Sequence, residues 1–458
     1  MSQLHLGVFD ILTPNQMTQG LWAHPRNESH RYNTLPLWIE IAKLLERGKF
    51  DFIFFADSYG YPDNNAELAL REAVYAPVAD PMLLLSALAA STTHLGFVTT
   101  ASPTFEQPFA NARRFSTLDH LSEGRIGWNV VAAGGTSAAK AFGREDTLGH
   151  SERYDQADEF LEASYKLLEG SWQDDAVVRD KEKRLFADAS KVHVVRHEGR
   201  YFKLEASHAC EPSPQRTPVL FQAGSSERGR DFAAKHAEGV FLKAPTQEAL
   251  RDQVADIRRR AEAHGRDPRD IKIFSGLSAI VGRSREEAQQ KEAEYRAYRS
   301  REAALLTYAN ATGIDLDALD PDAPFTGIST ERGRSHTERY TRHSGSVQTV
   351  RQVADNFADK EFRGIRLVGT PEEIADGMQE WAEATGIDGF NLERYLLTDT
   401  LRDFVDMVVP VLQERGLFRR EYEESTLRER LFGAGNRRLP DRHPGAAFRN
   451  LAETDKAR

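Results

Sequence analysis

Short apolar runs recur along the chain, each followed by a loop and then by apolar positions at helical spacing. The clearest unit spans residues 94–133. It has an apolar run at 95–100, a loop bounded by Pro103 and Pro108, and a helix over 110–121. Gly124 breaks that helix, and a second apolar run occupies 126–131. Strand, loop, helix and strand in that order build a parallel sheet. Further runs at 4–9, 50–57, 218–224, 239–244, 271–281 and 389–393 bring the predicted strands to eight, nearly all followed by a helix. The run at 50–57, FDFIFFAD, is almost unbroken, as suits a strand covered on both faces.

The helical stretches carry their own punctuation. The one predicted over 35–48 has Leu35, Trp38, Ala42 and Leu45 on one face, Thr34 as its cap and Gly48 as its stop. Another over 151–169 has Tyr154, Ala157, Leu161 and Leu168 as its stripe. Thr370 to Glu373 form a capping box with Pro371 in the first helical position.

Eight such units close most simply as a (β/α)8 TIM barrel, an α/β fold. The competitor, an open doubly wound sheet, calls for a Gly-x-Gly-x-x-Gly turn after the first strand. Here that turn begins Asp10, Ile11, Leu12, Thr13, Pro14. Residues 1–458 therefore read as a single barrel domain with two insertions. One, about 171–217, holds a small hairpin of 192–195 and 201–204 with Glu198 and Gly199 in its turn. The other, 284–360, loses the alternation, and its Gly-, Ser-, Thr- and Arg-rich stretch at 326–346 suits a mobile lid. Residues 415–458 read as a charged C-terminal arm.

Composition narrows the function. A net charge of −10 without a dense Lys/Arg cluster argues against a nucleic-acid partner. The one cysteine, Cys210, excludes an internal disulfide and permits a reducing compartment. MSQLHLGVFD at the start is no signal peptide, and no apolar run is long enough to cross a bilayer. The expectation is a cytoplasmic protein with no membrane partner.

Barrel chemistry sits at the C-terminal strand ends, where Asp57, Ser102, the 129–133 stretch and Gly224, Ser225 and Ser226 all fall. The two serines lead from a strand into a helix N-terminus, whose free N–H groups favour an anion such as phosphate; equally, one serine merely caps the helix. His150 and Tyr154 share a helix face, as a polar cap and a core residue or as ligands. Trp22 and His24 lie on the long 10–33 loop and wall a pocket or pack that loop down. No metal, P-loop or nucleophile-elbow motif occurs. Glu393, ending the last strand, leaves a barrel hydrolase open as an alternative.

Six segments taken together resemble the bacterial luciferase-like flavin monooxygenases. They are GLWAHP at 20–25, FDFIFFAD at 50–57, STLDHLSEGRIGWNVV at 116–131, Arg153 with Tyr154, PVLFQAGSS at 218–226 and TLRE at 426–429. The resemblance is to the group holding the large components of nitrilotriacetate, EDTA and dibenzothiophene-sulfone monooxygenases. It implies a barrel that binds reduced FMN (FMNH2) and inserts one oxygen atom of O2 into a small organic substrate. A separate NAD(P)H-dependent flavin reductase would supply the FMNH2, so NAD(P)H enters only through that partner. By carry-over Asp57, Ser102 and Asn129 border the isoalloxazine ring, while His150, Tyr154, Gly224, Ser225 and Ser226 hold the phosphate. Trp22, Tyr59 and Ala133 would wall the substrate pocket, and His24 or His150 would donate a proton. Homodimers and homotetramers are usual in the group. Two departures stand out: Ala132 and Ala133 replace the usual Thr-Ser, which makes the pocket less polar, and 205–212 lacks the usual Gly-Pro-Leu wording. A flavin-binding barrel without oxygenase activity is the further alternative.

Overall fold

The structure, a computed structural model, describes residues 3–61, 64–224, 226–326 and 347–449. Eight parallel strands among them close into a barrel. They are β1 (His5–Asp10), β2 (Phe52–Phe55), β3 (Gly96–Ala101), β4 (Ile126–Val130), β5 (Val219–Gln222), β6 (Gly239–Leu242), β7 (Lys272–Val281) and β8 (Gly389–Glu393). Each strand pairs with its neighbour in the chain, and β1 pairs with β8 to complete the ring. Helices such as Leu35–Arg47, Pro108–Leu121, His150–Gly170, Glu227–His236 and Pro371–Thr385 connect successive strands.

The barrel follows from the period-2 pattern of β2. Ile53 and Phe55 join the outer layer between strands and helices, and Phe52 and Phe54 fill the interior. Inside, Phe9 stacks on Phe54 at 5.9 Å and on Phe241 at 5.6 Å. Below them Phe52 meets Phe221 and Phe274 edge-on, each at 5.2 Å, so aromatic rings fill the lumen. Gly239 leaves the space that the Phe221 ring occupies.

One strand was not expected. Ile365–Gly369 pairs with the second half of β7, from Leu277 with Ile365 to Val281 with Gly369, while β8 takes the first half. Arg366 interrupts its apolar pattern, which hid it between the 284–360 stretch and the capping box at 370–373. Within that stretch the Arg301–Thr312 and Val350–Lys360 helices form a small separate core around Tyr308 and Phe357. The expected lid lies almost wholly in 327–346, outside the described residues.

Two local expectations need correction. The hairpin pairs Val195–Glu198 with Lys203–Ala206, because Val192 instead bridges to Trp172; Glu198 therefore sits in a strand rather than in the turn. Thr34 does not cap its helix through the side chain, because its Oγ1 donates to the Arg31 carbonyl at 2.9 Å.

The arm folds back under the barrel. Its Leu427–Phe432 helix puts Leu427 and Leu431 into the aromatic interior at the N-terminal end of the strands. Arg428, fully buried there, donates to Glu238 at 2.8 and 2.9 Å. No helix among the described residues is long and apolar enough to cross a membrane.

Candidate active site

The C-terminal ends of β2 to β5 are neighbours, so Asp57 and Ser226 follow strand ends on one edge of the barrel mouth. At the β5 end, Ser226 caps the Glu227–His236 helix, its Oγ accepting from Gly229 N at 3.1 Å. His150 Nε2 lies 3.3 Å from that Oγ, and the Tyr154 hydroxyl stands beside Ser226 and Gln222. Burial pushes the Tyr154 hydroxyl up, so it stays protonated as a donor. Gly224 passes so close that a Cβ there would sit 2.7 Å from the Tyr154 hydroxyl, and its own N–H donates to Gln222 Oε1 at 2.7 Å. Ser225 lies outside the described residues. Gln222 was not singled out in advance, although it stands within PVLFQAGSS.

The β3 and β4 ends form the middle of this edge. Ser102 Oγ donates to the Val131 carbonyl at 2.8 Å and accepts from Ala133 N at 3.4 Å; Thr104 Oγ1 donates to the Ala133 carbonyl at 3.0 Å. These bonds fix the turn that carries Ala132 and Ala133. Asn129 donates through Nδ2 to Thr100 Oγ1 at 2.9 Å, and its buried Oδ1 has no hydrogen-bond partner among the described residues. Arg153 Nε donates to the Ala132 carbonyl at 3.3 Å, which joins this turn to the His150–Gly170 helix.

At the β2 end, burial pushes the Asp57 carboxyl up to about 6, with Ser58 N–H opposing and Asp80 reinforcing the shift. Tyr59 donates to Glu106 at 2.8 Å, and its ring meets Phe105 and Phe142 edge-on at 5.8 and 5.0 Å. Phe105 and Phe142 stack at 4.7 Å. Tyr59 and Ala133 thus stand near the Ser102 turn, and the Trp22 indole N–H lies 3.5 Å from Glu72.

His24 is not arranged to give a proton to a substrate. It is buried between Tyr295 and Tyr298, accepts from Arg26 N at 3.2 Å and pairs with Glu294 at 3.0 Å, so both ring nitrogens are occupied. Glu393 likewise offers no hydrolase acid. It is fully buried, paired with Lys243, and accepts from Ser278 Oγ at 3.1 Å and Gly364 N at 3.3 Å. Among the described residues no group of three or more His, Cys, Asp or Glu could hold a metal ion.

The family model for luciferase-like monooxygenases matches residues 17–389. The chain belongs to that family. It is 47% identical over 454 residues to long-chain alkane monooxygenase from Geobacillus thermodenitrificans, covering 98% of this chain and 99% of that one. It is 45% identical over 451 residues to dimethyl-sulfide monooxygenase from Hyphomicrobium sulfonivorans, covering 97% and 93%. The crystal structure of a riboflavin lyase, with modified FMN and substrate riboflavin, superposes with a TM-score of 0.93 at 42% identity, covering 98% of this chain and 100% of that one. As a luciferase-like monooxygenase the protein is a flavin-dependent oxidoreductase, and its barrel is the fold of its relatives.

Proposed function

We propose that the chain binds FMN in its reduced form, taken from a separate NAD(P)H-dependent reductase, and transfers one oxygen atom of O2 to a small apolar substrate. The observation that carries this reading is the convergence of His150 Nε2, the Tyr154 hydroxyl and Ser226 Oγ on one helix N-terminus. Three side-chain groups beside free backbone N–H groups and a positive dipole end suit a phosphate. At the other end of the edge, the orphan Asn129 Oδ1 suits a ring N–H, because a buried acceptor left unpaired is costly.

Once bound, the flavin supplies the electrons and the O2 chemistry. The chain's own residues bind, orient and shield. Ser102 and Thr104 hold the Ala132–Ala133 turn, while Tyr59, Phe105 and Phe142 wall the mouth against water. Asp57, titrating near 6, holds or releases a proton at its carboxyl around neutral pH.

Alanine at 132 and 133 and the aromatic trio favour an apolar substrate, in line with an alkane and a dialkyl sulfide as the compounds named for two relatives. A second reading, in which the substrate is itself a flavin, draws on the 42% identity to riboflavin lyase. Anaerobic titration with FMNH2, followed by oxygen and one of an n-alkane, a dialkyl sulfide or riboflavin, separates them. Oxygenated alkane or sulfide supports the first reading, and loss of riboflavin alone the second. Failure to bind FMNH2 sinks both.

A further inference from the structure

The Glu227–His236 helix carries a cation, Arg228, in its first turn, where the dipole end is already positive. Alone, that placement is unfavourable. Two carboxylates from the His150–Gly170 helix compensate it: Arg228 Nη2 donates to Asp158 Oδ2 at 2.5 Å and to Asp155 Oδ1 at 3.1 Å. Asp158 also receives a bond from Lys235 Nζ at 2.9 Å and lies 2.7 Å from His236 Nε2. Arg228 and Lys235 are seven residues apart, about 10 Å along a helix. One carboxylate therefore grips the capped helix near both of its ends.

This clamp adjoins the candidate phosphate site. Asp158 lies one turn beyond Tyr154, and the Arg228 guanidinium sits 5.6 Å from the centre of the Tyr154 ring. His236 is locked into the same helix a second time, through its Nδ1 and the Tyr165 hydroxyl at 3.1 Å. The donors that converge on the anion come from both helices: His150 and Tyr154 from one, Ser226 and the free N–H groups from the other. Their spacing depends on how the helices are held together.

We propose that Asp158 is a positioning residue: it holds the Ser226-capped helix in register with His150 and Tyr154, and thereby sets the affinity for the flavin phosphate without touching it. This rests on the phosphate reading given above. It predicts a selective effect, because misaligned donors weaken an anion's hydrogen bonds while the ring end of the ligand keeps its contacts.

The test compares oxidised FMN with riboflavin, which lacks the phosphate, by quenching of flavin fluorescence on the full chain. Wild type is expected to prefer FMN. Asp158→Asn should weaken FMN binding by roughly tenfold, the scale of one charge-assisted hydrogen bond, with riboflavin affinity unchanged. Arg228→Gln, at a partly exposed position, should lower the same preference less. Leu161→Ala, a buried change on the same helix, should lower thermal stability and leave the preference intact. A preference unchanged in Asp158→Asn overturns the proposal, as does an equal loss in Leu161→Ala, which would mark general loosening. Should Asp158→Asn not fold, Arg228→Gln decides by the same ratio. If wild type shows no preference for FMN, the phosphate site itself is wrong and this inference falls with it.

Discussion

Arg394 grips the Asp10 carboxylate with two hydrogen bonds of 2.8 and 2.9 Å, both side chains fully buried and 384 residues apart in the chain. Asp10 ends the first strand and Arg394 follows the last, so the pair spans the seam at which the barrel closes. Removing one partner leaves the other charge buried and uncompensated. Asp10→Asn should therefore cost about 3–5 kcal/mol in urea unfolding. The double change Asp10→Leu with Arg394→Met, which removes both charges, should recover most of that loss. A cost below about 1 kcal/mol for Asp10→Asn would mean that the seam is held by strand pairing alone.

The barrel was legible in advance because its signal is local and repeated: apolar runs such as FDFIFFAD, each followed by an amphipathic helix. The seam was not, since Arg394 reads as an ordinary loop charge until its distant partner is known. The same reason hid the role of Arg428, whose buried bonds to Glu238 are invisible in a charged-looking arm. For the site, Ser226 and Tyr154 were found through motif segments and His150 by its place one helical turn before Tyr154, and the three come together in space. Trp22 and His24 belong to an equally specific segment, yet their surroundings are Glu72, Glu294 and two tyrosines. A motif marks residues that matter, but burial and partners decide for what.

The raised titration of Asp57 fixes the sign of a pH effect. An unfolded aspartate titrates near 3.9, whereas in the fold it titrates near 6. Between those values the folded chain binds more protons, so this group's contribution to stability is greatest below about pH 4 and is lost as pH rises to about 6. Asp57→Asn should remove that part of the slope and be more stable than wild type at pH 7. Unfolding midpoints at pH 5 and 7 check it. A difference between the two proteins that stays constant with pH would show that Asp57 titrates normally.

Ser226 separates helix capping from anion binding. Ser226→Ala should lose the cap to Gly229 N and cost about 1 kcal/mol of stability. Ser226→Asp keeps a good cap but sets a carboxylate where the phosphate would lie. Its stability should match wild type while FMN affinity falls by roughly a hundredfold, about 2.7 kcal/mol. Riboflavin affinity, measured alongside, should hold in both. If FMN bound Ser226→Asp as tightly as wild type, the phosphate would have to sit elsewhere.

The far end of the barrel allows the opposite dissociation. Leu427 enters the aromatic interior from below, close enough to Gly96 that a Cβ there would lie 2.8 Å from a Leu427 methyl. Its backbone N–H donates to the Gly124 carbonyl at 2.9 Å, so the helix is seated as well as packed. Truncating this plug leaves a cavity lined by rings that cannot collapse, since strands hold them on every side. Leu427→Ala should therefore cost about 2–5 kcal/mol. Flavin binds, on the reading above, at the other mouth, with the stacked Phe9, Phe54 and Phe241 between. FMN affinity should then stay within about twofold of wild type at temperatures where the variant is folded, since sites so far apart act nearly independently. A parallel fall in affinity would instead show that the aromatic column couples the plug to the mouth, and riboflavin would report whether the ring or the phosphate end is disturbed.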